Sequence, residues 1–268
     1  MLGSWPNAPL ALVIAAINTS KVTTLGKAIG ALQERLAQDF PELINGVAHN
    51  VTLGGQGMVA TENIPAWLFI SEDRTSAAVF RPDLVALQST GYKNWEQFKD
   101  QIRAVMTAYA ATVPVPVVGR IGLRYIDLIV PRDGEAPEMY VQQGMRGATT
   151  SLAKSKRAVV RTQTTQLFSD SSGMSVTYTS DDAADAESPV FQELTNEKHL
   201  AKSEVMARAI AHSGNVASLD IDRWEQTRSK FDVASILSQL EAFHDHQRKA
   251  IDEVATPHAL AVWQGRTG

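Results

Sequence analysis

The sequence contains no cysteine, and this absence excludes several kinds of chemistry. No disulfide can form, no thiolate can act as a nucleophile, and no zinc site with cysteine ligands can be built. A cysteine-free composition is compatible with any compartment. A reducing cytosol is its natural interpretation, so we expect a cytoplasmic protein.

The chain also lacks a long hydrophobic run. The longest, Leu10 to Ile17, is far shorter than the roughly 20 apolar residues that a membrane helix needs. The first residues, Met1 to Pro9, lack the basic segment that opens a signal peptide. The sequence therefore predicts a protein that is neither membrane-spanning nor secreted by the usual signal.

Positive charge is not in excess. The chain has 25 Lys and Arg against 29 Asp and Glu, a formal net charge of −4, whereas nucleic-acid binders usually carry a basic surface. A local basic cluster has no aromatic residues nearby for base stacking, and we interpret it as a solvated strand edge whose charge discourages strand addition. Its members are Lys154, Lys156, Arg157 and Arg161.

Standard catalytic motifs are missing as well. The segment Gly54 to Gly57 follows a strand pattern, but it meets neither the P-loop nor the dinucleotide fingerprint and is better interpreted as a turn. Ser151 and Lys154 have the spacing of a Ser-x-x-Lys dyad without its accompanying motifs, and no Gly-x-Ser-x-Gly elbow occurs. The sequence predicts no catalytic residue and no cofactor, and it favours a non-enzymatic protein.

The pair His244 and His246 is a weak metal candidate. Residues two apart on a helix point to different sides, whereas helical metal pairs are spaced i, i+4. We predict no metal site here and interpret the pair as part of a solvated helix face, although His244 follows Phe243 and could line a groove.

Hydrophobic residues make up 44% of the 268 residues, enough for a large core. Helical spacing predicts helices beginning near Thr24, Asn94 and Asp232. Asn94 and Asp232 are residue types that make good N-caps. Strand patterns fill much of the remainder, which predicts an α+β protein with mostly antiparallel sheets covered by helices. The predicted strands include Leu10 to Asn18, Leu84 to Thr90, Val117 to Val130 and Val205 to Ile221.

In chain order these elements predict two similar β-α-β-β-β-α halves, residues 1–115 and 116–268. The segments around Asn94 and Asp232 match best, since each runs from an alternating strand through a polar loop into a capped helix. Coincidence explains the likeness equally well, and a single continuous domain is the alternative to two halves. Two such halves would join into one sheet or face each other, with a groove for ligands between them.

The strand around Arg124 carries the most distinctive polar pattern. The two-residue period of a strand places Arg120 and Arg124 on one face, with Gly122 between them, and Tyr125 and Asp127 on the other. Two arginines on one face could hold a carboxylate or a phosphate.

The alternative is a structural salt bridge across the sheet, for example to Glu72 or Asp73, and this is the interpretation we favour. The candidate ligand-binding residues are Arg120, Arg124, Tyr125, Asp127 and His244.

Three segments resemble a sporadically distributed, uncharacterised bacterial protein family of similar length. They are Asn7-Ala-Pro-Leu, the strand Arg120-Ile-Gly-Leu-Arg-Tyr-Ile-Asp, and the C-terminal helix with Leu240 and His244. Members carry an Ala-Pro-hydrophobic start and an Arg-Tyr-Ile-Asn strand, so Asp127 stands where Asn is usual. The patchy distribution implies mobile gene cargo, as in antiviral defence or toxin–antitoxin loci.

The leading hypothesis is a non-enzymatic binding or adaptor protein of the bacterial cytosol that has a protein partner and belongs to a defence or toxin–antitoxin locus. The first alternative is a small-molecule sensor or enzyme that binds an anionic ligand in the groove between the halves. The second is a nucleic-acid-binding component. No membrane partner is expected, and the sequence leaves undecided whether the protein forms a homo-oligomer.

Overall fold

The structure is a computed structural model that describes residues 5–53, 59–114, 116–147, 159–181, 188–191, 194, 198–212 and 214–266. These residues form an α+β protein with one nine-stranded antiparallel sheet. The strands are β1 (Leu10–Thr19), β2 (Glu42–Leu53), β3 (Val59–Ile70), β4 (Ser76–Arg81), β5 (Leu84–Ser89), β6 (Val117–Ile129), β7 (Val159–Ser169), β8 (Ser172–Asp181) and β9 (Val216–Lys230). The helices are α1 (Leu25–Leu36), α2 (Trp95–Thr112), α3 (Glu204–Ala211), α4 (Val233–Val254) and α5 (Pro257–Trp263).

The strands lie in the order β2-β3-β4-β5-β1-β6-β9-β8-β7. Strands β1 and β6 pair directly near the middle, from Leu10 opposite Asp127 to Thr19 opposite Val118. The sheet therefore runs without a break through both parts of the chain, so the predicted halves do not face each other. Strands β2 and β7 lie at its two edges.

Helices α1, α2 and α4 cover one side of the sheet, which we call the helix face. Their apolar side chains form one core with residues of the central strands such as Val13, Leu123 and Tyr125.

The predicted caps are confirmed, since Asn94 accepts a hydrogen bond from the Gln97 N–H at 3.0 Å and Asp232 accepts one from the Ser235 N–H at 2.8 Å. Helices α2 and α4 begin where the sequence predicts because a local hydrogen bond defines the first turn of each.

The strand predicted over Val205 to Ile221 is partly wrong. Its first part is helix α3, which packs on the opposite side of the sheet, the α3 face, against Leu12 and Ile126. Ser203 caps this helix by accepting a hydrogen bond from the Met206 N–H at 3.3 Å. The capping bond and the three- to four-residue spacing of the buried side chains favour a helix despite the apolar composition.

Two further details differ from the predicted order of elements. The strand predicted over Leu84 to Thr90 is present as Leu84–Ser89, and with it the first part of the chain has five strands, one more than the β-α-β-β-β-α order contains. Between β6 and β7 the described residues contain two short 3-10 turns, Pro137–Tyr140 and Gln143–Met145, at the place of the first helix in the predicted second half. Among the described residues, no helix combines the length and apolar character that crossing a membrane requires.

Candidate functional site on the central strands

Both arginines of β6 form ion pairs with aspartates of β9 on the α3 face. Arg124 donates from Nε to Asp220 Oδ1 at 2.8 Å and from Nη2 to Asp220 Oδ2 at 2.6 Å, a bidentate arrangement. Arg120 donates from Nη2 to Asp222 Oδ2 at 3.1 Å. Neither arginine pairs with the residue directly opposite it, since the residues opposite Arg120 and Arg124 are Gln226 and Asp222. Each side chain therefore extends along the strand direction to its aspartate.

Gly122 provides the space that this arrangement needs. A Cβ atom at position 122 would lie 3.0 Å from Nη1 of Arg120, closer than most such contacts. The Arg120 guanidinium therefore lies over the backbone of Gly122 on its way to Asp222.

The cross-sheet salt bridges favoured from the sequence are present, but with other partners than Glu72 or Asp73. Asp73 instead accepts hydrogen bonds from Ser71 and Thr75 in the turn between β3 and β4. Burial raises the pKa of Asp222, and the positive charges of Arg120 and Arg124 oppose that rise. Because Asp222 and Asp220 already pair with Arg120 and Arg124, the geometry gives little support to an anionic ligand there.

Tyr125 and His244 lie on the helix face and contact each other. Tyr125 Oη and His244 Nδ1 are 2.8 Å apart, and the His244 ring stacks on Trp95 with 4.6 Å between centroids. Burial lowers the pKa of His244 to about 4, so its imidazole is neutral near pH 7. Tyr125 also contacts the ring of Tyr92, and the cluster joins α2, β6 and α4.

The interpretation of His244 and His246 as a solvated helix face is wrong for His244, which is buried. The buried side of α4 is broad and includes Phe243, His244 and Gln247, so an adjacent pair of positions faces the sheet. His246 is half-buried and stacks on Phe168 instead. The two histidines thus point to different neighbours, as their spacing predicts.

Asp127 is the most unusual residue of the central strands. It is 0% exposed, and neither carboxylate oxygen has a hydrogen-bond partner among the described residues. Its cross-strand neighbours, Leu10 on β1 and Leu219 on β9, are both buried and apolar. Burial, followed by the negative charge of Asp220, raises the pKa of Asp127 to about 7.

The five candidate residues therefore do not form one site. Arg120 and Arg124 lie on the α3 face, whereas Tyr125, Asp127 and His244 lie on the helix face or pack against it. The described residues contain no group of three or more His, Asp or Glu side chains that could hold a metal ion.

Two clefts lie at the ends of the β1–β6 seam, where the two predicted halves meet, and the residues that line them were not among the candidates from the sequence. One of about 480 Å³ is lined by residues such as Ser20, Gly119 and Arg228, where β1 ends and β6 begins. The other, of about 230 Å³, lies where β1 begins and β6 ends. Each is built from segments far apart in the chain, so no local pattern could reveal it.

Replacing Arg124 with alanine is expected to lower the free energy of unfolding by about 1–2 kcal/mol, because it leaves Asp220 half-buried without its bidentate partner. Chemical denaturation measures the loss. Asp220→Ala should behave similarly, and the double variant should lose less than the sum of the two. Arg228→Ala, an exposed change on β9, is the control. Unchanged stability of Arg124→Ala would show that the ion pair is not structural.

Comparison with models of known protein families gives no match for this chain, and comparison with curated protein sequences gives none either. A functional proposal therefore depends on the geometry of the surfaces.

Proposed function

We propose that this chain is a non-enzymatic binding or adaptor protein that holds a protein partner along the outer edge of β7. The observation that carries the proposal is the exposure of this strand. Nine of its eleven residues are exposed, on both sides of the sheet, and they include Val159, Leu167 and Phe168. The neighbouring strand β8 is buried along almost its whole length.

An edge strand presents a row of outward N–H and C=O groups that another strand can bind. Proteins usually protect such edges with proline, lysine or a covering element. Strand β7 contains neither proline nor lysine, and within the described parts of the chain no strand pairs with its outer edge. An extended partner segment that joins the sheet as a tenth strand would satisfy these groups.

The chemistry of β7 favours an acidic segment with apolar side chains. Arg161 is exposed on the strand, and its charge, expected from the sequence to discourage strand addition, would instead favour a segment of opposite charge. The other basic residues of that cluster, Lys154, Lys156 and Arg157, lie outside the described residues but precede β7 directly in the sequence. Opposite charge on the partner would fix its register, while Leu167 and Phe168 offer apolar contacts.

Two proline variants test the proposal. Successive N–H groups of an edge strand point alternately toward its neighbour and outward, so Thr164→Pro and Thr165→Pro remove one donor of each kind. We expect one variant to keep the wild-type melting temperature and bind the partner at least about tenfold more weakly. The other should lose stability because it breaks the β7–β8 pairing. The partner is obtained by affinity purification at native expression, and binding is then measured with purified proteins.

Alanine at the same two positions is the matched control, because it keeps both N–H groups and should leave binding intact. Recovery of the protein alone, or a partner that binds both proline variants normally, would overturn the proposal. A homodimer that the outward proline abolishes would assign the edge to a second copy of the chain instead.

The strand order also supports a proposal of internal duplication, with residues 1–115 and 116–268 as the two halves. Strand β5 pairs with β1 and leads into α2, and β9 pairs with β6 and leads into α4. Both helices pack on the helix face. These are the two segments that match best in sequence.

The cellular context is proposed from the family resemblance alone. It points to the bacterial cytosol and to a defence or toxin–antitoxin locus, and a gene for a toxin, nuclease or ATPase beside this one would support it. A neighbourhood of unrelated housekeeping genes would count against it.

A further inference from the structure

The smaller cleft at the end of the β1–β6 seam has an apolar floor. It lies between the residues that precede β1, the end of β6, and helices α3 and α5. Leu128, Val205 and Trp263 form this floor with at most 3% of each exposed, and Val130 beside them is half-buried and presents more apolar surface to the cleft. Ligand sites are typically concave and apolar with a few polar groups, and drug-sized ligands occupy roughly 300–1,000 Å³. A cleft of about 230 Å³ suits a smaller molecule.

Two arginines from different elements line the same cleft. Arg132 follows β6 and Arg208 lies in the last turn of α3, and both are exposed. Neither guanidinium has an ion pair or a hydrogen bond in the described part of the chain. Glu204 precedes Arg208 by one helical turn without pairing with it, and Glu135 is occupied by Tyr140 and His258.

One wall of the cleft is held in place by hydrogen bonds. The Asn7 side chain donates from Nδ2 to the Val262 carbonyl at 3.0 Å, and its backbone N–H donates to the Trp263 carbonyl at 3.0 Å. The segment before β1 is thereby fixed to α5. A preformed wall reduces the ordering that a ligand must induce on binding.

We infer that this cleft binds a small organic anion, a carboxylate or a phosphate ester whose apolar body lies beside Val130 above the apolar floor and whose oxyanion lies between Arg132 and Arg208. A guanidinium presents a planar fork of donors that matches both oxyanions. Neither guanidinium forms an ion pair or a hydrogen bond with the described residues, so an oxyanion can bind both at the mouth of the cleft. The cleft is separate from β7, so this inference does not depend on the proposed partner strand.

The probes are benzoate, phenyl phosphate, inorganic phosphate and neutral benzyl alcohol, tested on the full chain by thermal shift and calorimetry. We expect benzoate or phenyl phosphate to raise the melting temperature and to bind about tenfold or more tightly than inorganic phosphate, and benzyl alcohol to have no effect. Whichever of the two binds more tightly identifies the oxyanion class.

Arg132→Ala and Arg208→Ala should each weaken binding of the better probe about tenfold, without a change in the melting temperature of the free protein. Arg228→Ala, at the other cleft, is the matched control and should bind normally. Three results would overturn the inference: no stabilisation by either aromatic anion, equal binding of inorganic phosphate, or binding that neither arginine variant weakens.

Discussion

Replacing Asp127 with asparagine is expected to stabilise the protein by about 4 kcal/mol at pH 8 and to change its stability little at pH 4. The pKa of this carboxyl is raised from 3.8 to about 7 in the folded state because the group is fully buried. The folded protein therefore holds a proton that the unfolded chain has released, and stability falls as pH rises from about 4 to about 7. A difference of about 3 pH units at roughly 1.4 kcal/mol each gives the expected magnitude.

An amide carries no charge at any of these pH values, so the Asp127→Asn variant should lack this pH dependence. Urea denaturation of both proteins at several pH values between 4 and 8 measures it. Asp39→Asn, which changes an exposed aspartate after α1, is the matched control and should follow the wild type. A stability difference that is the same at pH 4 and pH 8, or an asparagine variant no more stable at pH 8, would contradict the expectation.

The features that depend on local spacing could be predicted from the sequence. The two-residue period of β6 correctly separates Arg120 and Arg124 from Tyr125 and Asp127, since successive strand residues point to opposite faces. The caps at Asn94 and Asp232 were equally accessible, because a cap and its N–H donor are three residues apart.

Features that depend on strand register could not be predicted. Asp220 lies 96 residues from Arg124, and only the pairing of β6 with β9 brings them together. The same holds for His244, since its burial depends on how α4 packs against Trp95 and Tyr125.

Helix α3 was missed for another reason. Its run of apolar residues fits a strand as well as a short buried helix, and the cap at Ser203 together with the spacing of the buried side chains separates the two.

Replacing Arg223 with alanine is expected to lower the free energy of unfolding by about 3 kcal/mol. This side chain is 4% exposed, and its guanidinium lies between the rings of Phe168 and Phe243, at 4.6 and 4.3 Å from their centroids. It also donates from Nη1 to the Gly173 carbonyl at 3.1 Å and from Nε to His246 Nδ1 at 3.4 Å. A desolvated cation–π contact contributes about 2 kcal/mol and a charged hydrogen bond about 1.5–3, while burial of the cation offsets part of both.

Arg223→Lys should recover little of this loss, because an ammonium group cannot stack as a flat ion between two rings while donating to a carbonyl. Denaturation of both variants measures the effect, and Arg228→Ala on the same strand is the exposed control. Since Arg223 joins Phe168 at the end of β7 to Phe243 on α4, its loss should also speed amide exchange in β7 and weaken any partner bound there. If the lysine variant is as stable as the wild type, the stacking geometry is not what holds β7 to the body of the protein.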